Sequence, residues 1–245
     1  MRRKVAELCR KSAKKLLLEN IKKVIINTKN LNEFLDKKVF EIEKNNGENQ
    51  VGQVNGLAWT SVGGDVLKVE AVKIKGKGEL TLTGSLGDVM KESARIAFSM
   101  IKVLIDEGKI KIPKKIIIDP KVNVYDSYNI HIHVPDGATP KDGPSAGITI
   151  STAIASIFSD KKVKADVAMT GEIDLKGKVL PIGGLKEKLI AAYKADIKTA
   201  LIPRKNYERD LKDIPSEVRD NMEIIAVDTF SDVLELSLIH ISEPT

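Results

Sequence analysis

NIHIHVPDGATPKDGPSAGITISTAIASIF, residues 129–158, changes its period midway. NIHIHV alternates polar and apolar residues, which is the two-residue period of a half-buried strand. From Pro144 to Phe158 the residues are almost all small or apolar, as in a buried helix. Gly and Pro in TPKDGPSAG, 139–147, make the loop between them. Upstream, VGQVNGLAWT, DVLKVEAVKIKG and GELTLTG read as strands, with turns at Gly63-Gly64 and Gly76–Gly78. Asp88 to Ile105 carries a broad apolar stripe and reads as a long amphipathic helix. IIID, 116–119, reads as a further strand. Downstream, VAMTGEI, TALIP and EIIAV read as strands, and GGLKEKLIAAYKAD and FSDVLEL as helices. Strands and helices mix without a strict β-α-β repeat, so the predicted fold class is α+β.

The N-terminal part reads differently. Val5, Leu8, Cys9, Ala13, Leu16 and Leu17 recur at helical steps over residues 2–18. Val24–Ile26 is a short strand candidate, and Thr28 or Asn30 precedes a capped helix in LNEFLDK. This piece is too small to bury its own apolar stripe and reads as the end of another domain, residues 1–40. Residues 41–50, with the polar run EKNNGENQ, read as a linker, 51–236 as the main domain and 237–245 as a tail. One permitted back-translation of residues 236–245 resembles a transposon adapter used in preparing sequencing libraries. The tail is therefore expected to be non-native, and His240 to carry no function.

Composition narrows the classes. The chain has 245 residues, 42% hydrophobic and 30% charged, as expected of a globular protein rather than a disordered one. One cysteine excludes a disulfide framework and a cysteine-rich zinc site. No apolar run approaches the roughly 18 residues of a membrane span, and the basic N-terminus lacks the features of a signal peptide, so the expected location is cytoplasmic. The net charge of +6 is local. Residues 1–40 hold 12 Lys or Arg against 4 Asp or Glu, whereas the rest hold 28 against 30. This pattern suits a solvated helix face, with weak contact to nucleic acid or another polyanion as the alternative.

The chemistry concentrates at the Gly/Pro loop. Pro144 suits the first position of a helix, which places Ser145 beside unpaired backbone N–H groups able to hold an oxyanion. Such a serine is either a cap or a nucleophile, and a nucleophile needs a base. His131 and His133 share one face of their strand, but no spaced Cys or carboxylate cluster completes a metal site around them. A lysine serves as base once burial lowers its pKa. PIGGLKEKLIAA, 181–192, offers Lys186 and Lys188, and both flank the apolar stripe of their helix, so spacing leaves the choice open.

PKDGPSAG at 140–147 closely resembles the nucleophile motif of the A-type Lon protease family. MTGEIDLKGKVLPIGGLKEKLIAA at 169–192 is similar to that family's lysine segment. VNGLAWTSVGGD, GELTLTGSLGDVMKESA and IHIHVPDGATPKDGPSAG are similar to the same family in the same order, so the similarity covers residues 1 to about 236. The resemblance implies a Lon-type proteolytic domain in which Ser145 matches the nucleophile and Lys188 the general base. Thr170 matches a residue that orients the lysine. Asp142 matches an aspartate associated with switching the site between inactive and active forms. Residues 1–40 resemble the end of the α-helical subdomain of the family's ATPase module.

The resemblance also implies a homo-hexameric ring that degrades unfolded or misfolded proteins, using ATP and Mg in the ATPase module. The phosphate-binding pattern GxxxxGK[ST] does not occur in this chain, so no cofactor is expected here, and the simplest reading is a fragment opening at an internal Met. Two other classes compete with an endopeptidase. One is a small-molecule kinase-like domain, with the glycine-rich segments as anion-binding turns. The other is a non-catalytic assembly domain.

Overall fold

The computed structural model describes residues 2–35, 47–60, 63–135 and 140–239. The chain divides into two compact units, Met1–Ile42 and Glu43–Thr245. In the first, α1 (Arg2–Leu18) covers the predicted helix, and α2 is the single turn Leu31–Phe34. Asn30 stands at the start of α2, but its side chain bonds the backbone of Asn27 and Ile25 instead of capping the helix. The predicted strand Val24–Ile26 does not form: among the described residues of this unit no neighbouring strand takes its hydrogen bonds. The remainder of LNEFLDK after Leu35 and most of the linker lie outside the described residues.

The second unit runs β1 (Gln53–Thr60), β2 (Gly63–Lys75), β3 (Leu80–Thr83), α3 (Asp88–Asp106), β4 (Tyr128–His133), α4 (Gly147–Ser159) and β5 (Val167–Met169). It continues through β6 (Glu172–Ile173), β7 (Val179–Leu180), α5 (Leu185–Lys194), β8 (Thr199–Pro203), α6 (Arg204–Asp210), α7 (Ser216–Asn221), β9 (Glu223–Val227) and α8 (Phe230–Ser237). Among the described residues, seven strands form one sheet in the order β3-β4-β2-β1-β5-β8-β9, and β6 and β7 form a separate hairpin. β1 pairs antiparallel with β2 and parallel with β5, and the sheet stays parallel through β8 and β9. The architecture is α+β, as the mixed pattern predicts.

Layering follows from burial. Val167 and Met169 of β5 face a core shared with α3 and α4, while Ala168 faces a second core built from α5 and α7. Covered on both faces, VAM must be apolar throughout. Every residue of α4 is buried, which explains its all-round apolar character. On α3, Met90, Ala94, Ala97, Ile101 and Leu104 form the inward stripe.

Four details depart from the sequence pattern. IIID is no strand: Lys114–Ile116 form a 3-10 turn after Pro113, burying Ile116 while Ile117 and Ile118 stay exposed. VAMTGEI splits into β5 and β6 because the backbone leaves the ladder after Thr170: the Thr170 N–H makes the last bond to β8, at Leu201 O, and the Gly171 N–H turns away to Ser145 O. The short helices α6 and α7 lack a periodic stripe long enough to predict. Residues 237–239, assigned to the tail, are packed: Ser237 ends α8, Leu238 is buried and bridges Val163, and the Ile239 N–H donates to Lys162 O. His240 and all that follows lie outside the described residues.

Candidate active site

The loop that carries Ser145 is fastened to the start of α3. Lys141 N–H donates to Ser85 O, Gly87 N–H donates to Lys141 O, and Asp142 Oδ1 accepts from Met90 N–H at 3.0 Å and Gly143 N–H at 2.9 Å. The Asp142 carboxylate thus satisfies a first-turn N–H of α3 and sits at the positive end of its dipole. Gly87 makes this approach possible: a Cβ there would stand 2.3 Å from the Asp142 carboxyl carbon. Pro144–Ala146 then form a 3-10 turn that runs into α4, so the predicted helix starts where expected but with a tighter first turn.

Ser145 and Lys188 arrive from opposite layers. Ser145 precedes α4 on one side of the sheet, and Lys188 lies one turn into α5 on the other. They meet beyond the carboxyl end of β5, where the strand has stopped and Thr170 fills the gap. Lys188 Nζ donates to Ser145 Oγ and to Thr170 Oγ1, both at 3.0 Å, and Thr170 Oγ1 donates to Ser145 O at 3.3 Å. Lys188 is only 2% exposed and Thr170 fully buried. Burial pulls the Lys188 ammonium from 10.5 down to about 8. Lys186, two residues earlier on the same helix, is exposed. The helical wheel left these lysines equivalent; packing separates them.

Ser145 and Lys188 open into a cavity of about 560 Å³. Its walls include Leu57, Trp59, Leu67, Met90 and Ile182, with Asp65, Lys141 and Asp142 as charged groups. β1 pairs with β5 only at Asn55 and Gly56, so its continuation Leu57–Thr60 runs along this cavity. Sequence reasoning passed over Trp59, although a lone tryptophan beside a Gly-Gly turn was a usable signal. His131 and His133 share a face, as alternation predicts, but not with Ser145. Thr83 Oγ1 lies 3.0 Å from His131 Nε2 and 2.7 Å from His133 Nδ1 on the outer side of the β3–β4 pair. Among the described residues no group of three His, Cys, Asp or Glu side chains is placed to hold a metal ion.

The model of the Lon protease (S16) C-terminal proteolytic domain matches residues 25–240. The chain belongs to this family. It is a serine protease family, and the matched span covers the second unit as far as residue 240. The Lon protease of Campylobacter jejuni is 98% identical over 239 residues, covering 98% of this chain and 30% of that protein. That of Helicobacter pylori (strain J99) is 61% identical over 88% of this chain and 27% of its own length. The Escherichia coli K12 Lon protease is 48% identical over 97% of this chain and 29% of its own length. The chain therefore spans about 30% of the length of the curated relatives it matches.

Proposed function

We propose that this domain hydrolyses peptide bonds with a Ser145–Lys188 dyad. The observation that carries the reading is Lys188 Nζ at 3.0 Å from both Ser145 Oγ and Thr170 Oγ1 while nearly closed to solvent. Thr170 has one hydroxyl proton and commits it to Ser145 O, so toward Lys188 it only accepts. When Lys188 is neutral, one N–H holds Thr170 and the lone pair is left for the Ser145 hydroxyl. Thr170 thereby orients the base.

Ser145 Oγ attacks the peptide carbonyl carbon as its proton passes to Lys188 Nζ. Backbone N–H groups at the start of the Pro144 turn receive the developing oxyanion. The C–N bond then breaks, Lys188 returns the proton to the leaving amine, and an ester remains on Ser145. Water hydrolyses that ester with Lys188 again as base, freeing the acid and the serine. An extended substrate segment fits beside Leu57–Thr60, where β1 has lost its β5 neighbour. Asp142 holds the nucleophile loop against α3, and release of that cap is a route between active and inactive arrangements of the site.

Within the longer family protein, this domain would degrade unfolded and misfolded proteins as part of a cytoplasmic homo-hexamer, with ATP and Mg acting in the ATPase module to which residues 1–40 would belong. The basic excess there would give weak polyanion contact. Hydrolysis of a short unstructured peptide by the chain and by its Ser145→Ala variant tests the reading. Cleavage by the chain and none by the variant is expected. Equal cleavage by both removes Ser145 as nucleophile.

A further inference from the structure

Asn206 is fully buried on α6, a helix whose other residues are mostly charged or exposed. Its amide treats the backbone of Ile182 as a neighbouring strand would. Ile182 N–H donates to Asn206 Oδ1, and Asn206 Nδ2 donates to Ile182 O, both at 2.8 Å. The second Nδ2 proton goes to Asp210 Oδ2 at 2.7 Å, so every polar atom of the side chain is engaged. Ile182 begins the segment Ile182–Gly183–Gly184 that lines the cavity and leads into α5. Gly184 takes the left-handed conformation (φ +67°), and a Cβ there would meet the Trp59 side chain at 2.9 Å. Lys188 N–H donates to Gly184 O, which makes Lys188 part of the first turn this segment starts.

The mount of Asn206 is equally informative. α6 follows directly from β8, and β8 also holds the other side of the lysine site, because Thr170 N–H donates to Leu201 O. One strand-helix unit thus fixes Thr170 through Leu201 and the approach to α5 through Asn206, five residues apart in sequence. A buried amide making two backbone bonds to a glycine-rich lead-in is a stiff clamp at a point the chain would otherwise leave free to hinge.

We propose that Asn206 is a positioning residue for the dyad: by clamping Ile182 it holds the start of α5 so that Lys188 stays buried facing Ser145 and Thr170. This rests on the dyad reading for its consequence in catalysis, but the clamp itself is a claim about where Lys188 sits. Loosening Ile182 lets the first turn of α5 move outward and admits water to Nζ. Desolvation is the cause of the lowered Lys188 value, so its relief carries the group back toward 10.5. The charged groups facing the same cavity, Lys141 and Asp142 on the nucleophile loop and Asp65 on β2, stay on elements that the clamp does not hold.

The test uses the whole chain with 13C-labelled lysine, titrating the Lys188 ε-carbon by NMR beside peptide hydrolysis against pH. Asn206→Ala should raise the Lys188 titration midpoint by about one unit and lower kcat at pH 7 by about tenfold, with KM little changed. Asp210→Asn removes only the outer contact and should leave the midpoint in place. Tyr128→Phe, which deletes a buried hydroxyl bond to Ile116 O on β4, should lower stability without moving the midpoint. An Asn206→Ala protein that melts earlier yet keeps the wild-type Lys188 midpoint overturns the inference. Should that variant not fold, Asn206→Asp keeps an acceptor for Ile182 N–H and loses the donor, and an unmoved midpoint there overturns it equally. The NMR titration needs no turnover. A moved midpoint in a chain where Lys188→Ala still cleaves peptide would uphold the clamp and remove the dyad.

Discussion

The histidine pair and the lysine pair look alike in the sequence and differ completely in space. His131 and His133 are two titratable residues on one strand face, and Lys186 and Lys188 are two on one helix. In each pair, spacing gives the partners equal standing. The β4 pair is on a solvated sheet face, with a threonine hydroxyl between the rings and no nucleophile in reach. The α5 pair is split by packing: Lys186 points to water and Lys188 into a cleft lined by residues of β1, β2, α3 and the loop before α4. A residue becomes a base through what covers it and what it touches. Histidine has the better intrinsic pKa for the work; Lys188 has the position, and burial brings its pKa within reach of neutral pH.

The largest expected effect tests that split directly. Lys188→Ala should lower peptide hydrolysis by at least about a thousandfold, as should Ser145→Ala. Lys186→Ala should retain most activity, since an exposed ammonium outside the cleft has no part in proton transfer. Steady-state hydrolysis of one short peptide by the three variants measures it. Survival of Lys188→Ala with loss in Lys186→Ala would reverse the assignment.

The second effect is on stability, and its sign follows from the lowered value. Below about 8, Lys188 is charged in both the folded and unfolded chain, and the folded chain bears the full desolvation penalty. Between about 8 and 10.5 the folded chain has lost the proton and the unfolded chain has not, so stability rises with pH through that window. The penalty at neutral pH is about 3 kcal/mol, from a shift near 2.5 units at about 1.4 kcal/mol each. Two hydrogen bonds worth about 1 kcal/mol apiece offset part of it. Lys188→Met should therefore raise stability by about 1–2 kcal/mol at pH 7, and the gain should vanish at about pH 9 and change sign by about pH 10.5. Urea unfolding at three pH values checks this. A gain that grows with pH would mean Lys188 is not held by desolvation.

Thr170→Val comes next. It removes the acceptor for the Lys188 ammonium and leaves the base free to rotate. The charged form then loses more than the neutral form, so the acid limb of the rate-pH profile should move below about 8, while kcat falls by about 10- to 100-fold. Asn206→Ala is expected to move the same limb upward, and the opposite signs separate loss of a partner from admission of water.

Much of the fold was legible because its signals are local. The alternation in NIHIHV, the glycine turns and the stripe on Asp88–Ile105 each specify an element within a few residues. Pro144 and Ser145 were legible as a helix start for the same reason. The lysine was not. Lys186 and Lys188 lie on either edge of one stripe, and which edge faces inward depends on β1, β5 and the loop before α4, all distant in sequence. Thr170 was hidden inside VAMTGEI, where an apolar run continues past the residue at which the backbone leaves the sheet. That departure depends on the bond from the Gly171 N–H to Ser145 O, 26 positions away in the chain. Only the resemblance to a family pointed to Thr170 and chose Lys188. IIID failed as a strand for the complementary reason: its composition is right and no edge accepts it. Asn206 carried no local signal at all, being one polar residue in the charged run RKNYERD.

The smallest effect expected is the one that completes the comparison. His131→Gln and His133→Gln, singly and together, should change peptide hydrolysis less than about twofold and stability by no more than about 0.5 kcal/mol. Among the described residues each ring meets Thr83 Oγ1, on a half-exposed or exposed sheet face, and glutamine restores a donor and an acceptor there. The diagnostic quantity is the acid limb of the rate-pH profile. In the unsubstituted chain it should rise through about 8, where Lys188 gives up its proton. With both histidines gone the limb should stay, because nothing that sets it has been touched. A histidine base would lose the limb in one of the variants. Disappearance of the limb in a folded His131→Gln or His133→Gln protein would mean that the exposed pair, not the buried lysine, governs proton transfer, and the contrast between the two regions would have been drawn the wrong way round.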